Sequence, residues 1–267
     1  MLEIVTAHEP AVRLGAFIGV AVLVGLWQTL APRRPARSSV LWRWSNNFAI
    51  TLLNTLMLRL LFPLLAVGLA AIAAERGWGL LNIIDIPFPL ALLVALIVQD
   101  LVIYAQHVMF HHVGLFWRFH KMHHADIDFD LSTGVRFHPV EIALSMLIKL
   151  AVVLLLGPPV VAVILFEVIL SSLALFNHAN AGLPPRLDRI IRKIIVTPDM
   201  HRVHHSVIRA EHDSNFGFNL ACWDYLFRTY RAAPEAGHEG MTIGLDAYQE
   251  NRRQSLLWML LLPFRRG

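Results

Sequence analysis

The chain has 267 residues, of which 56% are hydrophobic and only 16% charged, with a formal net charge of +4 and a pI near 9.6. A mean hydropathy of +0.56, with a charged fraction far below the roughly 25% of soluble domains, excludes an ordinary soluble globule. The single cysteine, Cys222, excludes a disulfide framework and a multi-cysteine zinc site, whereas twelve of the fourteen histidines crowd between His107 and His212.

The first long apolar run is Ala11 to Ala31, about 20 residues and about 30 Å as a helix, which matches a bilayer core. It has no basic segment ahead of it and no small-residue cleavage site behind it, so it reads as a retained span rather than a signal peptide. Phe48 to Ala73 predicts a second span, and Phe88 to Phe110, opened by Pro87 and Pro89, a third. Val140 to Leu156 and Val160 to Phe176 are shorter and are joined by Gly157-Pro158-Pro159, a turn signal that makes them a helical hairpin. The predicted fold is an all-α, polytopic membrane bundle of four to five spans carrying a helical, histidine-rich dimetal cap. It divides one membrane domain into three spans (1–110), a first histidine segment (111–139), a membrane hairpin (140–177), a second histidine segment (178–250) and an interfacial tail (251–267).

Arg33, Arg34, Arg37 and Arg43 follow the first span, whereas the next loop holds only Arg76, which predicts a cytoplasmic first loop. Alternation then brings both histidine segments to the same cytoplasmic face, in agreement with Arg186, Arg189, Arg192, Lys193, Arg202, Arg228 and Arg231. The expected setting is an integral multi-pass protein of a bacterial inner membrane or an endoplasmic-reticulum-like membrane. The basic balance comes from these arginines and points to anionic headgroups rather than nucleic acid. Trp27, Trp42, Trp44 and Trp78 sit near span ends, and Ser255 to Phe264, too short to span and flanked by Arg252-Arg253 and Arg265-Arg266, reads as an interfacial anchor.

Three histidine motifs stand out: His107-x3-His111, His120-x2-His123-His124 and His201-x2-His204-His205. Residues three and four apart share a helical face, so each motif projects imidazoles from one side of a turn. At this histidine content chance supplies roughly 0.04 copies of His-x2-His-His per chain, and two copies are present. With His178 at the end of the fifth span there are nine imidazoles, too many for one four-ligand structural ion, so two metals are implied. Imidazole alone does not select iron over zinc, copper or nickel.

Asp100-x3-Tyr104-x2-His107-x3-His111, Trp117 to His124, Arg136-Phe137-His138-Pro139, Phe176-Asn177-His178-Ala179-Asn180, Thr197 to His205 and Asn215-Phe216-Gly217 together resemble the fatty acid hydroxylase/sterol desaturase superfamily. The resemblance covers roughly Asp100 to Tyr230. It implies a membrane-bound, O2-dependent diiron oxidase with His107, His111, His120, His123, His124, His178, His201, His204 and His205 as iron ligands. One departure is Arg228, where relatives usually carry glycine, which puts the local turn geometry in question.

Supporting residues follow from the need of ligating imidazoles for an acceptor on the second nitrogen. Asp100, Tyr104, His138, Asn180, Asp199 and Asp213 are the candidates. Asp100 lies about 10 Å up the helix from His107, so it orients a histidine of another segment or pairs with Arg59. Lys149 and Glu167, nine residues either side of Pro158, are predicted to pair inside the membrane. His138 reads equally as a helix cap, and His112 points away from His111. Such a site beside apolar helices suits hydroxylation of a lipid or sterol-like C–H bond, with desaturation by the same site as the alternative. No haem, flavin or dinucleotide motif is visible, so the electrons are expected from a separate reductase, ferredoxin or cytochrome. A metal-binding or metal-transport protein, and a zinc-dependent hydrolase, are the readings of other classes; histidines gathered at one edge rather than spread through the spans argue against transport.

Overall fold

The computed structural model describes residues 6–265. Among these every regular element is a helix, and β structure is limited to isolated bridges. Five helical segments are long and apolar enough to cross a membrane: Glu9–Leu30, Val40–Ile83, Phe88–His112, Pro139–Leu156 and Val160–Asn177.

α1 (Glu9–Leu30) carries Pro10 in its first turn, where no backbone N–H is needed, and buries only Val24 and Gln28. The second span departs from the single helix expected over 48–73. α2 (Val40–Leu61) starts earlier, capped by Ser39, whose hydroxyl accepts from the Trp42 N–H at 3.4 Å. It stops ahead of Pro63, because the proline ring disfavours a helical residue before it; Phe62 is extended at φ −118° and ψ 99°. The chain resumes as α3 (Ala66–Arg76) and ends on Gly77 in the left-handed region. The first turns of α2 bury Arg43, Asn46 and Asn47 in the polar cap, so the apolar crossing is made by the rest of α2 together with α3. Hydropathy marks where apolar residues lie but not that a helix continues beyond them.

α4 (Phe88–His112) has 25 residues and is about 37 Å long, more than a bilayer core requires, so its last turns lift His107 and His111 into the cap. α5 (Gly114–His124) turns off it after Val113, which is extended. α6 (Pro139–Leu156) and α7 (Val160–Asn177) form the expected hairpin. Its tip, Gly157 at φ +63°, is pressed by the loop after α3: a Cβ on Gly79 would lie 2.2 Å from the Gly157 nitrogen. Lys149 donates to Glu167 at 2.7 Å, the predicted pair, and Arg13 of α1 joins it at 3.0 Å.

Small residues bring the helices close. Ala66 and Ala70 of α3 meet Val153 and Val163, and Ala95 of α4 meets Leu156 and Ala162. Trp27 stacks on Phe176 with centroids 6.1 Å apart, joining α1 to α7. The outer faces leave Leu23, Leu60 and Leu155 more than half exposed, a surface that water does not favour and lipid does.

The cap is stapled to the bundle by side chains bonded to loop backbone. Gln28 accepts from the N–H groups of Leu131 (3.2 Å) and Asn180 (3.1 Å), and Asp128 accepts from those of Arg37 (2.9 Å) and Ser38 (3.0 Å). Arg43, fully buried, is held by Asp126 at 3.0 Å and by Asp130. The arginine-rich first loop and both histidine segments therefore lie at the same end of the bundle. The second segment supplies α8 (Pro185–Ile191), α9 (Pro198–His204) and α10 (Cys222–Leu226). In the tail, α11 (Leu256–Leu261) buries Met259 against a cluster that includes Ile50 and Met122 and leaves Leu257 and Phe264 exposed. Arg266 lies outside the described residues.

Candidate metal centre

Four pieces of chain converge. α4 contributes His107 and His111, α5 contributes His120, His123 and His124, and the C-cap of α7 contributes His178. α9 contributes His201 and His204, with His205 at its C-cap; its start is set by Pro198 and by Thr197, whose hydroxyl accepts from the Met200 N–H. All nine imidazoles are buried, none more than 6% exposed. They form two sets, His107, His111, His120, His124 and His204 in one and His123, His178, His201 and His205 in the other, the candidate ligand atoms of each lying within 4.8 Å of one another.

Six of the nine have an acceptor at Nδ1. His107 meets the Phe216 carbonyl at 2.8 Å, His123 that of Arg136 at 3.2 Å, His178 that of Ala174 at 2.8 Å and His204 that of Ser214 at 2.7 Å. His120 meets Glu141 at 2.7 Å, and His111 meets Asp213 at 3.3 Å. Donation from Nδ1 fixes the tautomer that leaves the Nε2 lone pair free. Gly134 permits the close seat of His178, since a Cβ there would sit 2.4 Å from the Ala174 oxygen and 3.1 Å from His178 Nδ1.

The residues fit a metal pair. Nε2 of His111, His120 and His204, Nδ1 of His201 and both ring nitrogens of His124 and His205 are buried without a protein partner, which an apolar interior does not tolerate cheaply. His178 Nε2 stands 3.3 Å from His123 Nε2 and 3.1 Å from His201 Nε2. Two nitrogens sharing one ion at about 2.0–2.1 Å stand about 3.0–3.4 Å apart. Burial, reinforced by neighbouring imidazoles, holds His123, His124, His201, His204 and His205 well below the ordinary imidazole pKa, and burial takes His178 to about 3. Neutral imidazole is the ligating form.

The other predicted residues separate. Asp213 lies against His111, and Arg209 steadies it at 3.1 Å. Asp100 neither orients a histidine nor pairs with Arg59: it accepts from Trp223 Nε1 at 2.7 Å and the Leu220 N–H at 3.2 Å. Tyr104 bonds Thr229 at 2.9 Å and stacks on Phe227, so both residues hold segment 216–229, which carries the Phe216 carbonyl, against α4. His138 caps α6 by accepting from the Val140 N–H at 3.1 Å. Asn180 spends its amide on the backbone of Arg34, and Asp199 pairs with Arg202 and Arg33. These side chains are drawn off by nearer partners on the first loop and on the segments beside them. His112 is exposed and bonds the Val108 carbonyl. Arg228 occupies the left-handed region at φ +61°, the conformation glycine favours. Sequence reasoning passed over Glu141, although a carboxylate in the first turn of an apolar helix is a visible signal. It also gave no role to His212, which packs 5.9 Å from both His111 and His124.

A cavity of about 200 Å³ opens from His107, His120 and His123 and runs between α4 and α6 past Ile103, Ile142 and Met146 to Lys149. Its walls are mainly apolar, with Gln106 bonded to Ser145 at 2.8 Å as a polar exception. Larger clefts of about 500 and 590 Å³ lie on the cap beside Arg252 and Arg192 and reach none of the nine clustered histidines.

The chain is similar over 149 residues to the ornithine lipid hydroxylase OlsE of Rhizobium tropici, at 28% identity, covering 55% of this chain and 44% of that one. It is 31% identical over 143 residues to alkylglycerol monooxygenase of Homo sapiens, covering 54% and 31% respectively. A very-long-chain aldehyde decarbonylase of Oryza sativa subsp. japonica, GL1-7, is 25% identical over 151 residues, 52% of this chain and 23% of that one. In each case the match spans less than half of the relative. No solved structure gives a significant match. The profile of the fatty acid hydroxylase family matches residues 92–229, just over half of the chain and the region that carries all nine histidines, and the protein belongs to that family.

Proposed function

We propose that the protein is a membrane-embedded, O2-dependent dimetal oxygenase that hydroxylates a C–H bond of a lipid, with iron as the metal. The observation that carries this reading is the opening of a nine-imidazole cluster, rich in partnerless nitrogens, onto a mainly apolar cavity between spans. His107, His111, His120, His124 and His204 would hold one iron and His123, His178, His201 and His205 the other. When bound, the pair would supply the reduction of O2 and the oxidising power for the C–H bond.

The chain's own residues do the rest. Glu141, Asp213 and the carbonyls of Phe216, Arg136, Ala174 and Ser214 keep the imidazoles in one tautomer and orientation. Ile103, Ile142 and Met146 exclude water and pack an alkyl chain so that one carbon faces His107, His120 and His123. The names of the relatives speak of an ornithine lipid and of alkylglycerol, and a substrate with a long alkyl chain suits these walls. Electrons would come from a separate donor on the side of the cap, and the arginines of the first loop support a cytoplasmic position for that side.

Metal analysis of purified protein, with a comparison of membrane lipids with and without the gene, tests this. Two irons per chain and a product heavier by 16 mass units are the expected result; one tight zinc without iron would refute it, and a loss of 2 units would convert it to a desaturase. His123→Ala should lose metal while still inserting in the membrane, and full iron occupancy in that variant would contradict the assignment.

A further inference from the structure

Where electrons reach the cluster is written in its outer wall. Resting on the reading above, one hydroxylation consumes RH, O2, two electrons and two protons and yields ROH and water, so a one-electron carrier must deliver twice. Transfer through protein falls off steeply with distance, which favours the thinnest wall between ligand and surface. Trp117 is such a thin wall, one partly exposed ring between two ligand imidazoles and the surface. Its ring lies 5.0 Å from His111 and 5.4 Å from His124, two imidazoles of the same set, and it stacks on His212 at 5.4 Å with an interplanar angle of 16°. Trp117 is partly exposed, and the His212 ring is fixed by a 3.3 Å contact with the Ser206 carbonyl.

Two exposed arginines lie close to this pair along the chain. Arg118, next to Trp117 in the chain, is exposed, and Arg209, which holds Asp213 beside His212, is exposed over 82% of its side chain. Asp213 is the carboxylate here and is shared between Arg209 and His111. Val113 and Ile208, each one turn before Trp117 and His212, add exposed apolar area. A small apolar patch with arginines on its rim suits the brief, electrostatically steered encounters of electron carriers. We infer that the Trp117–His212 face is the electron-entry site, docking a small acidic one-electron protein whose electron passes through the Trp117 ring to the set containing His111 and His124. Each event oxidises one reduced carrier and reduces the metal pair by one electron.

The probe is a plant-type [2Fe–2S] ferredoxin, with the full chain in lipid nanodiscs. Oxidised ferredoxin should bind the metal-free protein, and Arg118→Glu should weaken its Kd at least tenfold at low salt, with the difference lost at high salt. In iron-loaded protein, Trp117→Leu should slow reduction by reduced ferredoxin at least tenfold, while reduction by dithionite is unchanged and Trp117→Phe stays within threefold of wild type. Wild-type ferredoxin kinetics in iron-loaded Trp117→Leu, or a Kd indifferent to Arg118→Glu, would overturn the proposal. Should the leucine variant fail to hold iron, the binding arm on metal-free protein decides it. Single-turnover lipid product, formed when protein reduced by dithionite and then freed of the excess meets O2, checks the oxygenase reading separately, since its absence indicts the chemistry rather than the entry route.

Discussion

Replacing Glu141 by leucine removes a carboxylate that the fold buries against a ligand imidazole. Glu141 Oε1 accepts from His120 Nδ1 at 2.7 Å, and both residues are almost completely buried. A hydrogen bond to a charged group is worth about 1.5–3 kcal/mol, and loss of a ligand's supporting acceptor weakens metal affinity about 10–100-fold. Leucine has a similar volume but no acceptor, so the upper end applies; Glu141→Gln keeps an oxygen for the Nδ1 proton and should lose about tenfold or less. Because His120 belongs to the five-imidazole set, chelator competition should show one metal weakened and the other held as in wild type. The metal-free variant should not melt much below wild type, since Glu141 Oε2 is buried without a partner and removing the carboxylate also removes that cost. A leucine variant that binds both metals with wild-type affinity would refute the reasoning.

Three further outcomes are expected. Gly134→Ala drives a Cβ to 2.4 Å from the Ala174 oxygen, so it should destabilise the protein by about 1–3 kcal/mol and reduce metal occupancy of the set containing His178, as read by melting and metal analysis. Arg228→Gly relieves a left-handed arginine at φ +61° and should raise stability by up to about 1 kcal/mol, with unchanged metal content; a loss of stability would mean that the arginine side chain contributes more than the strain costs. The metal-free protein should weaken as pH falls. His123, His124, His178, His201, His204 and His205 have pKa values depressed by burial, so below the unfolded value near 6.5 the unfolded chain takes up protons that the folded one refuses. At pH 5.5 each such histidine costs on the order of 1 kcal/mol, and together they take up a large share of the roughly 5–15 kcal/mol of a typical domain. A melting temperature flat between pH 7 and 5.5 would contradict this.

Much of the architecture is legible along the chain because its causes are local. Apolar runs of bilayer length set the five spans, Gly157-Pro158-Pro159 sets the hairpin, and spacings of three and four residues put imidazoles on shared faces. The pairing of Lys149 with Glu167 follows from equal distance to the turn. The second span was only half legible: Pro63 breaks it for a local reason, but the early start of α2 depends on Asp126 and Asp130, more than eighty residues away, holding Arg43.

What the linear order does not contain is which partner wins. Asp100, Tyr104 and Asn180 carry suitable chemistry, yet Trp223, Thr229 and Arg34 reach them first, while Glu141, Asp213 and four backbone carbonyls take the histidine N–H groups. The division of nine imidazoles into sets of five and four, and the seating of Trp117 and His212 on one of them, arise only when α4, α5, α7 and α9 meet. Periodicity can say which face of a helix a side chain occupies. The competition among buried donors and acceptors, settled by distances across the whole fold, decides what that face touches.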